Sequence, residues 1–219
     1  MTTIFRLDSS IRTEGSVSRA VADTLEQAII EAEGSDTTVV HRDLALDPIP
    51  SDVWATSAFA GFVPEADWTD QQRAARAVAA ELADEVVAAD VVIVGAPLYN
   101  FGVPAHLKTW IDTLITDPRF APGTQTVAGK PAFLVVARGG GYGEGTPRAG
   151  WDHATDYLRR ILVDVFGLDL DVIETELTLA EVTPQMADLV DLARAQLAES
   201  HDAARAGGRS VTLKLRAAA

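Results

Sequence analysis

Short apolar runs alternate with segments of helical period along most of the chain. The apolar runs predict five strands, at Ile4–Leu7, Thr38–His41, Val91–Val94, Ala132–Ala137 and Leu170–Ile173. This alternation is typical of a parallel sheet whose strands are joined by right-handed crossover helices on both faces. We therefore predict an α/β fold, a three-layer sandwich around a five-stranded parallel sheet with strand order 2-1-3-4-5.

The helices between these strands are recognised by apolar residues spaced three and four positions apart. Five are predicted: around Ala20–Ile29, over about Asp70–Ala88, from Pro104 onward, over about Trp151–Val165 with Gly167 as its C-cap, and from Thr183 onward. In the last of them, Thr183 is the expected N-cap and Pro184 the first helical residue.

One connection is too long for the alternation. Residues 47–68 carry four large aromatic side chains, Trp54, Phe59, Phe62 and Trp68, where an ordinary linker would be polar. Such side chains need something to cover. We expect this segment to help form a homodimer contact and to place Phe59 and Phe62 in the wall of a substrate pocket. A loop folded onto its own domain is the plainer alternative.

The last residues, 205–219, form a second exception. Gly207-Gly208 is followed by Val211, Leu213 and Leu215 in alternation with polar residues. This pattern is compatible with a disordered tail or with an added edge strand, and the sequence does not decide between them.

Composition narrows the class of protein. The chain has 219 residues with 47% hydrophobic content, enough for one core, and we expect one domain over residues 1–204. Its formal charge of -14 repels nucleic acid and anionic lipid, so neither is an expected partner. Cysteine is absent, which excludes disulfides, thiolate nucleophiles and iron–sulfur ligation. Without an apolar leader or spanning segment, the chain is expected to be soluble and cytoplasmic.

The most informative segment follows the third predicted strand. The run Val91–Val94 ends in Gly95-Ala96-Pro97, and a short loop of Leu98, Tyr99, Asn100 and Phe101 leads to the helix at Pro104. Ligands of open parallel sheets lie beyond the carboxyl ends of the strands. This loop offers two rings and an amide to a flat heteroaromatic molecule, and a flavin fits that description.

The string from Pro97 to Asp112, PLYNFGVPAHLKTWID, resembles the flavin loop of the FMN-dependent NADH azoreductase and quinone reductase family. The resemblance implies a flavodoxin-like fold, bound FMN, and a homodimer in which both subunits shape each site. It covers the chain to about Ala204, but only three loops are specific enough to transfer individual residues.

The first of the other two loops, Ser9–Ser18, follows the first strand and enters the first helix. Unpaired N–H groups and the helix dipole favour an anion there, although serine-rich turns before helices often serve only as N-caps. The resemblance implies that Ser10, Ser16, Val17 and Ser18 hold the FMN phosphate. Val17 would contribute its backbone N–H alone.

The remaining loop, Ala137–Gly145, is rich in glycine, which lets the backbone approach a ring edge closely. A mobile loop without a ligand is the alternative. The family carries a similar Arg-Gly-Gly, commonly after a serine, so Ala137 removes one hydroxyl contact. The candidate cofactor contacts here are Ala137, Arg138, Gly139 and Gly140, and Tyr142 is placed on the substrate side.

The spacing of residues argues against nucleotide-binding, serine hydrolase and metal-binding motifs. Gly123–Pro131 resembles a phosphate-binding P-loop but has one residue too many between its glycines and a proline where Ser or Thr would bind magnesium. No G-x-G-x-x-G follows a strand and no G-x-S-x-G elbow is present. The four histidines lie far apart, and the acidic cluster Asp43, Asp47 and Asp52 is unevenly spaced, so no metal site is expected.

These observations predict a two-electron flavin reductase with a ping-pong cycle. NADH or NADPH would deliver hydride to FMN N5, and a quinone or azo compound would then be reduced, so no catalytic side chain is required. A flavodoxin-like single-electron carrier with an acidic docking face is the rival. A binding module that has lost FMN is the third hypothesis. The aromatic segment and the glycine-rich loop favour the reductase, while the sequence leaves open the physiological acceptor and the choice of nicotinamide donor.

Overall fold

The computed structural model describes residues 1–34 and 36–218. Five parallel strands form one sheet: β1 (Thr2–Asp8), β2 (Thr37–Asp43), β3 (Val91–Pro97), β4 (Pro131–Ala137) and β5 (Asp169–Thr175). Their order is β2-β1-β3-β4-β5, which confirms the predicted topology. The order reverses between β1 and β3, so the loops after these two strands face one crevice.

Six helices connect or follow the strands in the described ranges. They are α1 (Val17–Glu33), α2 (Val53–Ala60), α3 (Asp70–Ala88), α4 (Ala105–Leu114), α5 (Thr155–Arg159) and α6 (Val190–Ala218). A π-helical turn, Arg160–Val165, continues α5, and 3-10 turns lie at Glu65–Asp67, Ala180–Val182 and Pro184–Leu189. None of these helices combines the length and apolar character needed to cross a bilayer.

The middle of the sheet is buried on both faces, which explains the nearly continuous apolar runs of β1, β3 and β4, whereas the edge strands β2 and β5 are more polar. Because side chains alternate along a strand, Ile4 and Phe5 enter different cores. Phe5 packs with the side chains of α3, α4 and α5, and its ring stacks on Trp110 at 6.2 Å. Ile4 packs with α1 and α6 on the opposite face. The result is the predicted three-layer sandwich.

Two helix starts differ from the prediction. Trp151 lies outside α5 because the Asp152 carboxylate accepts the N–H groups of Ala154 and Thr155 and so begins the helix after itself. Thr183 precedes a 3-10 turn rather than an α-helix, and its side chain makes no capping hydrogen bond. The predicted end at Gly167 is confirmed: its φ is 79°, and its N–H donates to Val163 O.

The long connection contains the unpredicted helix α2. Apolar residues occur all around Val53–Ala60, so no amphipathic period marks it. Ser57 is fully buried and its hydroxyl lies 2.6 Å from that of Thr116. The indole N–H of Trp68 donates to Ala60 O, which folds the end of the segment back onto α2.

Residues 205–218 are neither disordered nor an edge strand, because α6 continues through them. Gly207 and Gly208 act as close-contact positions. A Cβ on Gly207 would lie 2.8 Å from the ring of Phe133 on β4, and one on Gly208 would lie 2.7 Å from Ala28 Cβ on α1. The pair therefore lets α6 pack tightly onto the sheet and α1. Ala219 lies outside the described residues.

Candidate functional site

The loops after β1, β3 and β4 meet at the carboxyl edge of the sheet and enclose a cleft of about 270 Å³. Its lining includes the predicted residues Ser10, Ser16, Val17, Ser18, Leu98, Tyr99, Ala137 and Gly139. The lining also includes Arg12, Gly15, Pro97, Thr178 and Leu179. Most of the predicted cofactor contacts are thus brought together at one site.

The first loop is held by Arg19 from the first turn of α1. The Arg19 guanidinium donates to Ser10 O at 2.8 Å and to Arg12 O at 2.9 Å. The same guanidinium forms a bidentate pair with Asp43 at the end of β2, with distances of 2.6 and 2.9 Å. One planar side chain therefore fixes the carbonyl groups of the loop to the neighbouring strand.

This pair shifts the pKa values of both partners. The hydrogen bond to Asp43 raises the pKa of the Arg19 guanidinium above its ordinary value. Burial alone would raise the pKa of Asp43, but the hydrogen bonds from Arg19 and from the N–H groups of Ala45 and Leu46 outweigh burial and lower it. Both groups are therefore charged at neutral pH, so the Arg19–Asp43 ion pair that holds the first loop is present there.

The helix that follows this loop presents donors to the cleft. Val17 and Ser18 are the first two residues of α1, so their N–H groups have no intrahelical acceptor. The Ser16 side chain caps the helix by accepting the Arg19 N–H, and its hydroxyl lies 3.3 Å from that of Ser18. All three residues line the cleft. Two N–H groups, two hydroxyls and the helix dipole suit an anionic group here.

The middle loop adopts an unusual backbone. Asn100 and Phe101 have φ values of 49° and 67°, and paired backbone hydrogen bonds join Tyr99 to Gly102 on either side of them. Asn tolerates this left-handed region better than a larger side chain does. Asn100 and Phe101 are exposed next to the cleft, whereas Leu98 and Tyr99 line it.

Tyr99 reaches across the cleft to the first loop. Its hydroxyl accepts the Ile11 N–H at 3.1 Å and lies 3.3 Å from the Ser10 hydroxyl. Tyr99 therefore ties the middle loop to the first loop, in addition to offering ring surface. Asn100 leaves its side-chain amide without a protein hydrogen bond among the described residues, so that group is available to a ligand.

The glycine-rich loop exposes backbone donors. The carbonyl groups of Gly139 and Gly140 accept N–H groups of Leu179 and Leu177, but within the described ranges their own N–H groups have no protein acceptor. A Cβ on Gly139 would lie 2.7 Å from Leu179 Cδ1, so a larger residue would displace the cleft wall. Gly140 is buried beside the cleft rather than in its lining.

Arg138 was predicted as a cofactor contact, and its side chain does not line the cleft. The guanidinium is 7% exposed and pairs with Asp152, Glu174 and Glu176 at 2.8 to 3.1 Å. Burial alone would lower the pKa of Arg138, but Glu174 and Asp152 outweigh burial and raise it. Arg138 thus supports the loop from below, and only its backbone lies close to the site.

The rings of Phe101, Tyr142 and Trp151 lie together beside the cleft, and we refer to this group as its mouth. The Phe101 ring centroid lies 5.4 Å from that of Trp151 and 6.5 Å from that of Tyr142, both in edge-on arrangements. The guanidinium of Arg148 lies 5.9 Å from the Phe101 and Tyr142 rings. Tyr142, which the sequence analysis placed on the substrate side, lies beside Phe101.

Phe59 and Phe62 do not line the cleft of their own chain. Their rings pair with each other at 6.3 Å near the end of α2 and remain 67% and 83% exposed. Within one chain, the predicted substrate wall is therefore incomplete.

Sequence reasoning missed Arg12, Gly15, Pro97, Thr178 and Leu179. The first three lie inside segments that the sequence had already marked, between named residues. Thr178 and Leu179 come shortly after β5, which neighbours β4, and a search of the carboxyl ends of every strand would have found them. No three acidic or histidine side chains in residues 1–34 and 36–218 are grouped to bind a metal ion.

Known proteins share this architecture and sequence. A family model for the flavodoxin-like fold matches residues 2–199. The chain is 39% identical over 213 residues to the FMN-dependent NADH:quinone oxidoreductase of Streptomyces avermitilis, covering 96% of this chain and 97% of that relative. A relative of the same name from Frankia casuarinae is 39% identical over 205 residues, covering 92% of this chain and 96% of the relative.

A solved structure agrees with these relatives. The crystal structure of azoreductase from Bacillus anthracis matches with a TM-score of 0.76 and 26% identity, covering 96% of this chain and 100% of that chain. The resemblance carried by the middle loop is confirmed. The chain belongs to the flavodoxin-like fold family and, within it, to the family of FMN-dependent NADH:quinone oxidoreductases.

Proposed function

We propose that this protein is an FMN-dependent oxidoreductase that transfers two electrons from NADH or NADPH to quinones or azo compounds. The observation that carries the proposal is one cleft with unbonded backbone donors at both ends. Val17 and Ser18 supply them at the start of α1, and Gly139 supplies one beyond β4, with the unbonded N–H of Gly140 next to the lining. The names of the relatives and of the azoreductase structure support the same reaction class.

The residues at the first end fit a phosphate group. Ser16 and Ser18 add hydroxyls to the two N–H groups, and Arg12 adds a positive charge to the lining. A phosphate accepts several such bonds at once, and the helix dipole adds a favourable potential. Ser10 lines the same end, where its hydroxyl already accepts the Arg12 N–H at 3.2 Å.

The residues at the second end fit the flavin ring. The amide of Asn100 and the N–H groups of Gly139 and Gly140 would donate to ring carbonyl oxygens, and Leu98, Tyr99 and Phe101 would supply contact surface. When bound, FMN supplies the hydride-accepting and hydride-donating centre. The chain itself contributes binding, orientation and donors that stabilise negative charge on the ring, so no side chain has to act as a nucleophile.

The mouth distinguishes a reductase from an electron carrier. A carrier needs an exposed cofactor edge, whereas Phe101, Tyr142 and Trp151 form a ring-lined approach that suits stacking of a flat substrate. The single-electron carrier and the binding module are therefore not favoured.

Anaerobic mixing with NADH tests the proposed function. The purified protein should be yellow, and its bound flavin should bleach rapidly in one two-electron step, with colour returning when a quinone is added. Slow reduction or accumulation of a flavin radical would indicate the carrier. A protein that neither retains nor binds FMN would exclude the reductase and leave the binding module.

Exposed aromatic residues support a homodimer as the working form. Phe59, Phe62 and Trp54 are large, exposed side chains that form an apolar patch around α2. A second copy would bury this patch and bring Phe59 and Phe62 to the mouth of the other subunit's cleft. We place the protein in the cytoplasm, which its lack of cysteine fits.

A further inference from the structure

The guanidinium of Arg148 lies against the aromatic rings that form the mouth, outside the lining of the cleft itself. It is 5.9 Å from the centroids of both the Phe101 and Tyr142 rings, and Nη1 lies 3.4 Å from the Tyr142 hydroxyl. It also packs directly against Gly140, where a Cβ would lie 3.1 Å from Arg148 Nη1. The positive charge of Arg148 thus lies near the faces of two aromatic rings and close to the glycine-rich loop.

No carboxylate neutralises this charge among the described residues. The two acidic groups that support the loop, Asp152 and Glu176, are both bound to Arg138. Arg148 itself forms no ion pair, although the chain has 32 acidic against 18 basic side chains. An unpaired guanidinium in so acidic a protein produces a local positive potential on a surface that otherwise repels anions.

Local hydrogen bonds define the position of Arg148. The Thr146 hydroxyl donates to Gly141 O and Gly143 O, and the Trp151 N–H donates to Arg148 O at 3.0 Å. Trp151 in turn packs edge-on against Phe101. The charged group and the aromatic surface therefore form one unit, with the flat faces of Phe101 and Tyr142 beside the cation.

We propose that Arg148 forms an anion subsite that selects aromatic acceptors carrying a sulfonate or carboxylate group. This inference rests on the proposed function and extends it to the substrate class. The ring system of such an acceptor packs at the mouth against Phe101 and Tyr142, and its anionic group accepts hydrogen bonds from the guanidinium, whose fork matches two oxygens. Arg148 acts in specificity and takes no part in hydride transfer.

The test compares two acceptors that share a ring system, 1,2-naphthoquinone and 1,2-naphthoquinone-4-sulfonate. In R148Q, the ratio of kcat/KM for the sulfonated over the neutral quinone should fall about tenfold. R148K keeps the charge without the fork and should recover part of this ratio. R209Q removes an arginine from the outer part of α6 and should keep the original ratio.

Added salt gives a second measurement on the unaltered enzyme. Raising ionic strength from about 0.02 to 0.2 M should increase KM for the sulfonated quinone more than for the neutral one, because salt screens the attraction. This measurement decides the matter if R148Q fails to fold.

An unchanged selectivity ratio in R148Q would overturn the inference. If that unchanged ratio came with a larger KM for NADH, Arg148 would instead bind the phosphate groups of the dinucleotide. Either result leaves the proposed function intact as long as the enzyme retains FMN and reduces quinone. If the unaltered protein neither bound FMN nor reduced any quinone, the proposed function itself would be contradicted.

Discussion

The two ends of the cleft are built by different means. One end is formed by Ser10 and residues 16–18, where we propose that the phosphate binds, and we call it the phosphate end. There, Arg19 donates to two carbonyl groups of the first loop and pairs with Asp43. The backbone N–H donors at this end belong to the first turn of α1. At the mouth, the glycine-rich loop is anchored at its base through Arg138, while Arg148 and its neighbours remain exposed. The first end is fixed by a half-buried ion pair between Arg19 and Asp43, and the second presents accessible rings and charge.

This difference indicates a division of labour. A cofactor that stays bound gains from a preorganised cradle, because little ordering has to occur on binding. Substrates that alternate in one site gain from a surface that accepts different flat molecules and selects them by charge. Changes at the phosphate end should therefore alter cofactor retention, and changes at the mouth should alter turnover and selectivity.

The largest effect is expected from Arg19→Ala. Removal of the guanidinium releases the carbonyls of Ser10 and Arg12 and leaves the half-buried Asp43 carboxylate without its cationic partner. We expect the free energy of unfolding to fall by about 2 kcal/mol and FMN affinity to fall about a hundredfold. Denaturant unfolding and flavin fluorescence titration measure the two effects.

Arg19→Lys serves as the control for charge. Lysine retains one positive charge but cannot reach two carbonyls and a carboxylate with a planar fork, so it should recover stability more than FMN affinity. Equal recovery of both would contradict a role in shaping the loop.

Phe62→Asp tests whether a second copy completes the mouth. A charged group in a contact between subunits is costly, so sedimentation should show monomers, and turnover should fall at least about tenfold. FMN affinity should change little, because the phosphate end lies within one chain. A dimer of normal activity would remove α2 from the interface and from the site.

The double change Ser16→Ala with Ser18→Ala probes the phosphate end directly. Loss of two hydroxyl donors to a charged group should lower FMN affinity about tenfold. Riboflavin, which lacks the phosphate, should bind as before, so the ratio of the two dissociation constants is the readout. Equal losses for both ligands would show that the serines act only as helix caps.

Asn100→Leu should give a smaller change that affects both ligands. The variant loses one amide donor to the ring, so FMN and riboflavin affinity should each fall about fivefold. Leucine also strains a backbone with positive φ, and Asn100→Gly separates the two causes, because glycine removes the amide without strain. Recovery of affinity in Asn100→Gly would mean that the backbone, not the amide, is responsible.

The sheet was predictable because burial on both faces leaves a plain mark in sequence. The inner strands β1, β3 and β4 carry nearly continuous buried apolar runs, whereas β2 and β5 at the edges are more polar, and the crossover rule then limits the topology. The three loops were predictable for a related reason, since the carboxyl ends of neighbouring strands must meet at one edge. The specific order of Tyr99, Asn100 and Phe101 supplied the type of ligand.

Features that depend on distant pairing were not predictable. Arg19 and Asp43 lie 24 positions apart, and neither residue type marks a clamp by itself. Arg138 was predicted in the site because of its position in the glycine-rich loop. Its buried side chain instead points toward Glu174 on β5, since a buried guanidinium needs carboxylate partners. Helix α2 lacked an amphipathic period, so the sequence marked its segment as unusually apolar but did not predict a helix there.

The glycine pair in α6 has a practical consequence for anyone shortening this protein. Truncation before Gly207 would strip away Val211, which is 2% exposed, and would uncover the ring of Phe133 in the central layer. The shortened polypeptide would then expose apolar surface on the face of the sheet that α6 covers, and it would tend to aggregate. Expression designs should leave the terminal helix intact.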